Sequence, residues 1–150
     1  MKVLLDTNII VAASIEAHPN HSVSLPWIQQ VRSQKITGYI STHSIAEIYA
    51  VMTRLPLPKP LSPQQTYDLI VNNVMAFHFV DLEAADYLEV LKNVTQLKIT
   101  GGGIYDAIIA QAALKANVDI LLTLNSKHFT RLGEHIARLV RDPSDMTMLK

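Results

Sequence analysis

Val3-Leu4-Leu5-Asp6-Thr7-Asn8, at the start of the chain, is an apolar run that stops at a carboxylate followed by two small polar residues. Physically this is a buried strand ending at Asp6, with the acid projecting from the strand's carboxyl end. In open α/β sheets that edge is where ligands and catalytic groups gather. An Asp in this position can also serve as the N-cap of the next helix, which would start near Asn8. Three other polar positions can meet Asp6 at the same edge: Glu47, Asp106 and the pair Thr123/Asn125. Together they suggest an acidic pocket for a hard divalent cation, and hence metal-assisted phosphodiester chemistry.

The rest of the chain repeats the strand–helix alternation. Short apolar runs with strand character lie at Val3–Leu5, Gly38–Ile40, Phe77–Leu82, Ile120–Leu124 and, more weakly, Ile136–Val140. Helical patterns fall between them at His21–Gln34, Thr42–Arg54, Glu83–Gln96 and Tyr105–Ala116. Ser62-Pro63 has the form of an N-cap with proline at the first helical position, opening a helix to about Met75. Such alternation predicts an α/β domain, a parallel sheet flanked by helices on both faces. The proline-rich Leu55–Leu61 must interrupt helix and is too short for a domain linker, so residues 1–150 are read as one domain.

Composition sets the outer limits. Hydrophobic residues make up 49% and charged residues 17% of 150, enough apolar material for a real core. No apolar run approaches the roughly 18 residues of a membrane span, no signal-peptide pattern opens the chain, and cysteine is absent. Disulfide and thiolate chemistry are therefore excluded, and a reducing cytoplasm is the expected compartment. Lys+Arg and Asp+Glu balance at 13 each, so whole-surface attraction to nucleic acid is not expected. A local basic rim could come from Lys115, Lys127, Arg131, Arg138 and Arg141, or these could be ordinary solvated cations.

The candidates differ in how strongly pattern marks them. At about 100° per residue, Ile109, Ala110 and Ala113 share a sector with Asp106, placing a carboxylate on a core-like face in a helix's first turn. A carboxylate there is costly unless something pairs with it or coordinates it. Glu47 falls on the polar side of its helix and reads as a solvated glutamate; it enters the set as the one acid between Glu16 and Asp68. Thr123 can donate to a carboxylate or phosphate and Asn125 offers a carbonyl oxygen, though both are also ordinary turn formers. Gly101-Gly102-Gly103 lacks the Gly-Lys-Ser/Thr of a P-loop and reads as a flexible lead-in to the helix. The six histidines are scattered, His18-Pro19-Asn20-His21 gives no helical pairing of ligands, and zinc is not expected.

Four blocks taken in order resemble the PIN-domain nucleases, in particular VapC-type toxins of toxin–antitoxin pairs. They are Val3-Leu4-Leu5-Asp6-Thr7-Asn8, Ser44-Ile45-Ala46-Glu47-Ile48, Ile104-Tyr105-Asp106-Ala107-Ile108-Ile109-Ala110 and Leu121-Leu122-Thr123-Leu124-Asn125. The resemblance implies a PIN-like sheet with Asp6, Glu47 and Asp106 as an acidic centre for Mg²⁺ or Mn²⁺. It also implies RNA as substrate, a homodimer, and an antitoxin protein whose tail plugs the active site. Thr7 and Asn8 match the small polar residues after the family's first acid; Thr123 and Asn125 would be supporting groups. Asn125 stands where a fourth acid is frequent and His128-Phe129 where Asp-Phe is common. Both departures count against a second metal ion more than against the first. The alternative from another class is a catalytically inactive PIN-like module that binds RNA or protein through the same cleft. A phosphatase is disfavoured, since Asp6-Thr7-Asn8-Ile9-Ile10 does not meet the Asp-x-Asp-x-Thr pattern.

Overall fold

The computed structural model describes residues 1–149. Five strands form one parallel sheet: β1 (Lys2–Leu5), β2 (Thr37–Ser41), β3 (His78–Val80), β4 (Ile120–Leu122) and β5 (Val140–Arg141). Their spatial order is β3-β2-β1-β4-β5. The chain winds outward from β1 through β2 to β3, then returns to lay β4 against the free side of β1. β1 is thus the topological switch point, and the crevice beyond its carboxyl end is the expected ligand site of such a sheet.

Eight α-helices cover the sheet: α1 (Thr7–Ser14), α2 (His21–Arg32), α3 (Thr42–Met52), α4 (Pro63–Val74), α5 (Ala84–Gln96), α6 (Gly103–Lys115), α7 (Ser126–Thr130) and α8 (Glu134–Ala137). The period-2 alternation of strand side chains divides them between the faces. Val3, Leu5, Ile40, Ile120 and Leu122 face the core built by α1 to α4, which holds Trp27 and Met52. Leu4, Val80, Leu121 and Val140 face the core built by α5 to α8, which holds Phe129. A strand with apolar residues on both faces has no amphipathic signature, which is why β1 and β4 read as continuous hydrophobic runs.

Local rules account for the element ends. Ser62 accepts the Gln65 N–H at 3.1 Å while the Gln65 side chain accepts the Ser62 N–H at 2.9 Å, a complete capping box with Pro63 at the first helical position. Gly38 is required by packing: a Cβ there would lie 2.7 Å from Val31 and 2.8 Å from Phe77.

Four elements differ in their boundaries from the sequence reading. Ile136 sits in α8 and not in a strand; β5 starts only at Val140 and pairs with β4 over two residues. Gly133, at φ +124°, breaks the chain into a fresh helical turn that buries Ile136, and the apolar run from Ile136 is shared between that turn and the edge strand. β4 stops at Leu122, because Thr123 turns the chain by accepting the Asn125 N–H at 3.0 Å. β3 is three residues long, and α6 begins two residues earlier than its pattern suggested.

Candidate active site

Three carboxylates from three separate elements line one cavity of about 190 Å³ at the carboxyl edge of the sheet: Asp6 after β1, Glu47 on α3 and Asp106 in the first turn of α6. Thr7, Asn8 and Asn125 line it with them, and His18, Val11, Val51 and Leu55 complete the wall. The candidates therefore converge, with Thr123 directly behind.

Asp6 is the deepest, at 4% exposure. It occupies the N-cap position of α1 but makes no capping hydrogen bond. Its Oδ2 instead accepts the Thr123 hydroxyl at 2.7 Å. That hydroxyl also accepts the Asn125 N–H at 3.0 Å and the Asn8 side-chain amide at 3.4 Å. With its lone pairs so engaged, the single Thr123 proton is directed at Asp6. Asn8 completes the frame by accepting the Leu124 N–H at 3.3 Å through its own Oδ1, fixing α1 to the turn after β4.

Burial pushes the Asp6 carboxyl from 3.8 up to about 7. The Thr123 hydrogen bond opposes this rise, and the charges of Asp106 and Glu47 reinforce it. A shift of that size is roughly 4 kcal/mol against ionisation, more than one charge-assisted hydrogen bond recovers. Asp106 is also raised above the ordinary carboxylate value, by burial first, with the nearby His128 and Arg131 working the other way. His128 Nδ1 lies 3.4 Å and Arg131 Nη2 4.0 Å from Asp106 Oδ2.

Glu47 corrects the sequence reading. Glu47 lines the cavity with its side chain 30% exposed, and its Oε2 is buried with no hydrogen-bond partner among the described residues. His43 Nε2 approaches to 3.3 Å, one helical turn away, but at an angle that forms no hydrogen bond. The Thr7 hydroxyl, 3% exposed, is likewise without a partner among the described residues. An orphaned carboxylate oxygen beside a buried acid of raised pKa is what a site awaiting a cation presents. The three carboxylates and the Thr7 hydroxyl offer oxygen donors, which suit Mg²⁺ or Mn²⁺. Among the described residues no three His, Cys, Asp or Glu side chains close into a cage, so an ion here would keep several waters, as Mg²⁺ characteristically does.

The expected rim is only partly present. Arg131 stands beside Asp106, and Lys127 lines a depression that shares Asn125 with the cavity. Lys115 lies at the far end of α6, committed to Asp86 at 2.8 Å and to the Asp81 carbonyl. Arg141 donates to the carbonyls of Arg138 and Val140. The glycine run does more than lead into α6: a Cβ on Gly103 would lie 2.6 Å from Arg131 Nη2, so its bareness lets that guanidinium reach Asp106. His18 and His43 escaped the sequence reading as site residues. His43 was detectable from its i,i+4 spacing to Glu47, whereas His18 reaches the cavity through a loop that no pattern marks.

The chain is similar to known proteins over most of its length. The chain is 27% identical over 135 residues to ribonuclease VapC27 of Mycobacterium tuberculosis, a match covering 88% of this chain and 93% of that protein. It is 26% identical over 116 residues to ribonuclease VapC40 of the same species, covering 77% and 81%. In three dimensions it is similar to VapBC2 of Rickettsia felis, solved bound to a DNA fragment from their promoter, with TM-score 0.66, 22% identity and coverage of 95% and 98%. It is similar also to VapC20 of Mycobacterium tuberculosis, a sarcin-ricin loop cleaving toxin, with TM-score 0.63, 10% identity and coverage of 79% and 86%. At those identities the two structures establish the fold. The PIN domain pattern itself matches residues 3–135, nearly the whole chain, and the chain belongs to the PIN domain family.

Proposed function

We propose that this chain is a metal-dependent endoribonuclease that hydrolyses RNA phosphodiesters, and that it acts as the toxin of a toxin–antitoxin pair. The observation that carries this function is the convergence of Asp6, Glu47 and Asp106 on one cavity, with a carboxylate oxygen of Glu47 left unsatisfied. The ribonuclease names of the curated relatives support the reaction class. The likeness in fold to VapBC2, solved bound to a DNA fragment from their promoter, supports a protein partner.

In this reading Asp6 and Asp106 would hold Mg²⁺ or Mn²⁺, and Glu47 would complete the ligand set or orient the attacking water. The ion's contribution when bound is to screen the phosphate's charge and to acidify water. The chain's own residues do the rest. Thr123 holds Asp6 in one rotamer and favours its anionic form. Asn8 and the Asn125 N–H fix Thr123, and Thr7 and Asn125 present polar groups to the cavity. Glu47 can accept a proton from the attacking water, since no donor occupies its inner oxygen. Arg131 and His128, beside Asp106, would bond non-bridging phosphate oxygens and stabilise the charge that develops in displacement.

The whole of residues 1–150 is read as one nuclease domain, working in the cytoplasm as a homodimer; among the described residues no helix is long and apolar enough to cross a membrane. The decisive experiment incubates the chain with mixed-sequence RNA in Mg²⁺, Mn²⁺ or EDTA, beside an Asp6→Asn variant. Metal-dependent cutting that the variant loses is the expected result. Equal cutting by both would move the site elsewhere, and binding without cutting by either would make the chain an inactive PIN-like module.

A further inference from the structure

Asp106 and Glu47 each have an aromatic companion on their own helix. Tyr105 immediately precedes Asp106 on α6, and His43 lies one turn before Glu47 on α3. The two rings meet face to face across the helices, with centroids 5.2 Å apart and planes 9° from parallel. His43 covers one face of the phenol, yet Tyr105 remains 50% exposed. Tyr49, Tyr67 and Tyr87 are exposed to a similar degree; what sets Tyr105 apart is that its ring is held by His43 next to two acids of the cavity. On the same carboxylate's flank stand His128 and Arg131. An aromatic face, an imidazole and a guanidinium thus stand around one acid, the elements with which proteins hold a nucleic-acid strand: stacking for the base, and hydrogen bonds and the Arg131 charge for the backbone.

We propose that Tyr105, backed by His43, is a stacking platform for an unpaired nucleobase adjoining the phosphodiester in the acidic cavity. This rests on the ribonuclease function proposed above and adds to it a residue that positions substrate. The ligand chemistry is a single-stranded RNA base, since a paired base keeps its faces stacked within the duplex. His43 is wedged between Tyr105 and Glu47, so the platform is fixed before substrate arrives. A plane anchored to both α3 and α6 sets the base, and through it the phosphate, against acids carried by the same two helices. Tyr105 acts through positioning and takes no part in bond making.

The test uses short single-stranded RNAs with 2-aminopurine, or an abasic site, moved one position at a time, in Mg²⁺. The binding protein is the Asp6→Asn chain, with and without Tyr105→Ala, Tyr105→Leu or Tyr105→Phe. Stacking on an aromatic face is expected to quench fluorescence several-fold at one position. Both Tyr105→Ala and Tyr105→Leu should lose that quench, and Tyr105→Phe should retain it. An abasic site at that position should weaken binding by about tenfold with Tyr105 present and leave it unchanged in Tyr105→Ala, the scale of one base–aromatic stack. Because Tyr105→Leu keeps bulk without a π face, a quench that survives in it overturns the proposal. So does an abasic penalty that is equal with and without Tyr105. No quench at any position in the Asp6→Asn chain, with a wild type that cuts RNA, would remove the platform alone, whereas a Tyr105-dependent quench with a wild type that cuts nothing would remove the ribonuclease function and keep the platform.

Discussion

Thr123 donates to Asp6 Oδ2 at 2.7 Å across 117 residues of chain, and among the described residues it is the one side-chain hydrogen bond on the deepest acid of the cavity. β1 and β4 are neighbours in the sheet, with Leu5 opposite Leu122, so the residue after each strand end falls beside the other. The sheet register itself thus sets the distance between acid and donor.

Thr123→Val should therefore act on Asp6 and not only on stability. Without the donor, Asp6 rises further above 7 and its anion is available only at higher pH. The rising limb of the pH–rate profile should move upward, and Thr123→Ser should restore it. Asp6 and the Asn125 N–H would both lose a buried partner, at about 1–3 kcal/mol of stability. Paired pH–rate and denaturation curves check both effects; an unmoved pH limb would mean that Thr123 is structural only.

The raised Asp6 pKa also fixes how metal-free stability depends on pH. It is about 7 in the folded protein against the ordinary 3.8 of a solvated aspartate, so between those values the folded protein holds a proton that the unfolded chain has released. The Asp6 contribution to stability is then fully present below about 4 and is lost as pH rises through 7, whereas Asp86, held below its ordinary value by Lys115, contributes in the opposite direction at acid pH. Asp106, raised in the same direction, adds to the trend. In EDTA the melting temperature should fall on the order of 10 °C between pH 5 and pH 8. Asp6→Asn should flatten that slope, and an equal slope in the variant would place its origin in other groups.

Divalent ions should reverse the trend. Binding to the folded form alone adds about 2.7 kcal/mol at a hundredfold excess over the dissociation constant, and ionising Asp6 for the ion releases its proton. Mg²⁺ should thus raise the melting temperature by several degrees at pH 7.5 and by less at pH 5.5. Asp106→Asn should reduce the gain. A gain that Asp106→Asn leaves undiminished would place the ion away from this cavity.

Sequence made some of this site visible and hid the rest for physical reasons. Asp6 stood out because a buried strand cannot end on a carboxylate without consequence, and Asp106 because its helical sector is otherwise alanine and isoleucine. Glu47 was read as solvated because a helix projection separates polar from apolar but cannot separate bulk water from a cleft. The His43–Tyr105 stack and the approach of His18 depend on how helices and loops distant in sequence are set against one another, which periodicity does not encode. The fold followed more directly, since β1 and β4 are apolar on both faces. It failed at Ile136, where a short apolar stretch serves a helical turn as well as an edge strand.

Arg131 offers the sharpest test of how the cavity meets its substrate. Its guanidinium lies 4.0 Å from Asp106, passes over the bare Cα of Gly103, and is steadied by donating from Nε to the His128 carbonyl at 3.2 Å. At 46% side-chain exposure it has solvent on one side, and its pairing with Asp106 is worth little in isolation. Arg131→Gln should leave folding within about 0.5 kcal/mol of wild type. It should weaken RNA binding several-fold at low salt and reduce the magnitude of the salt slope by about 0.7, the loss of one phosphate contact on a single strand. Titrating KM against salt for both proteins measures this directly. If KM rises by the same factor at every salt concentration, Arg131 acts through Asp106; if the slope falls, Arg131 touches the phosphate.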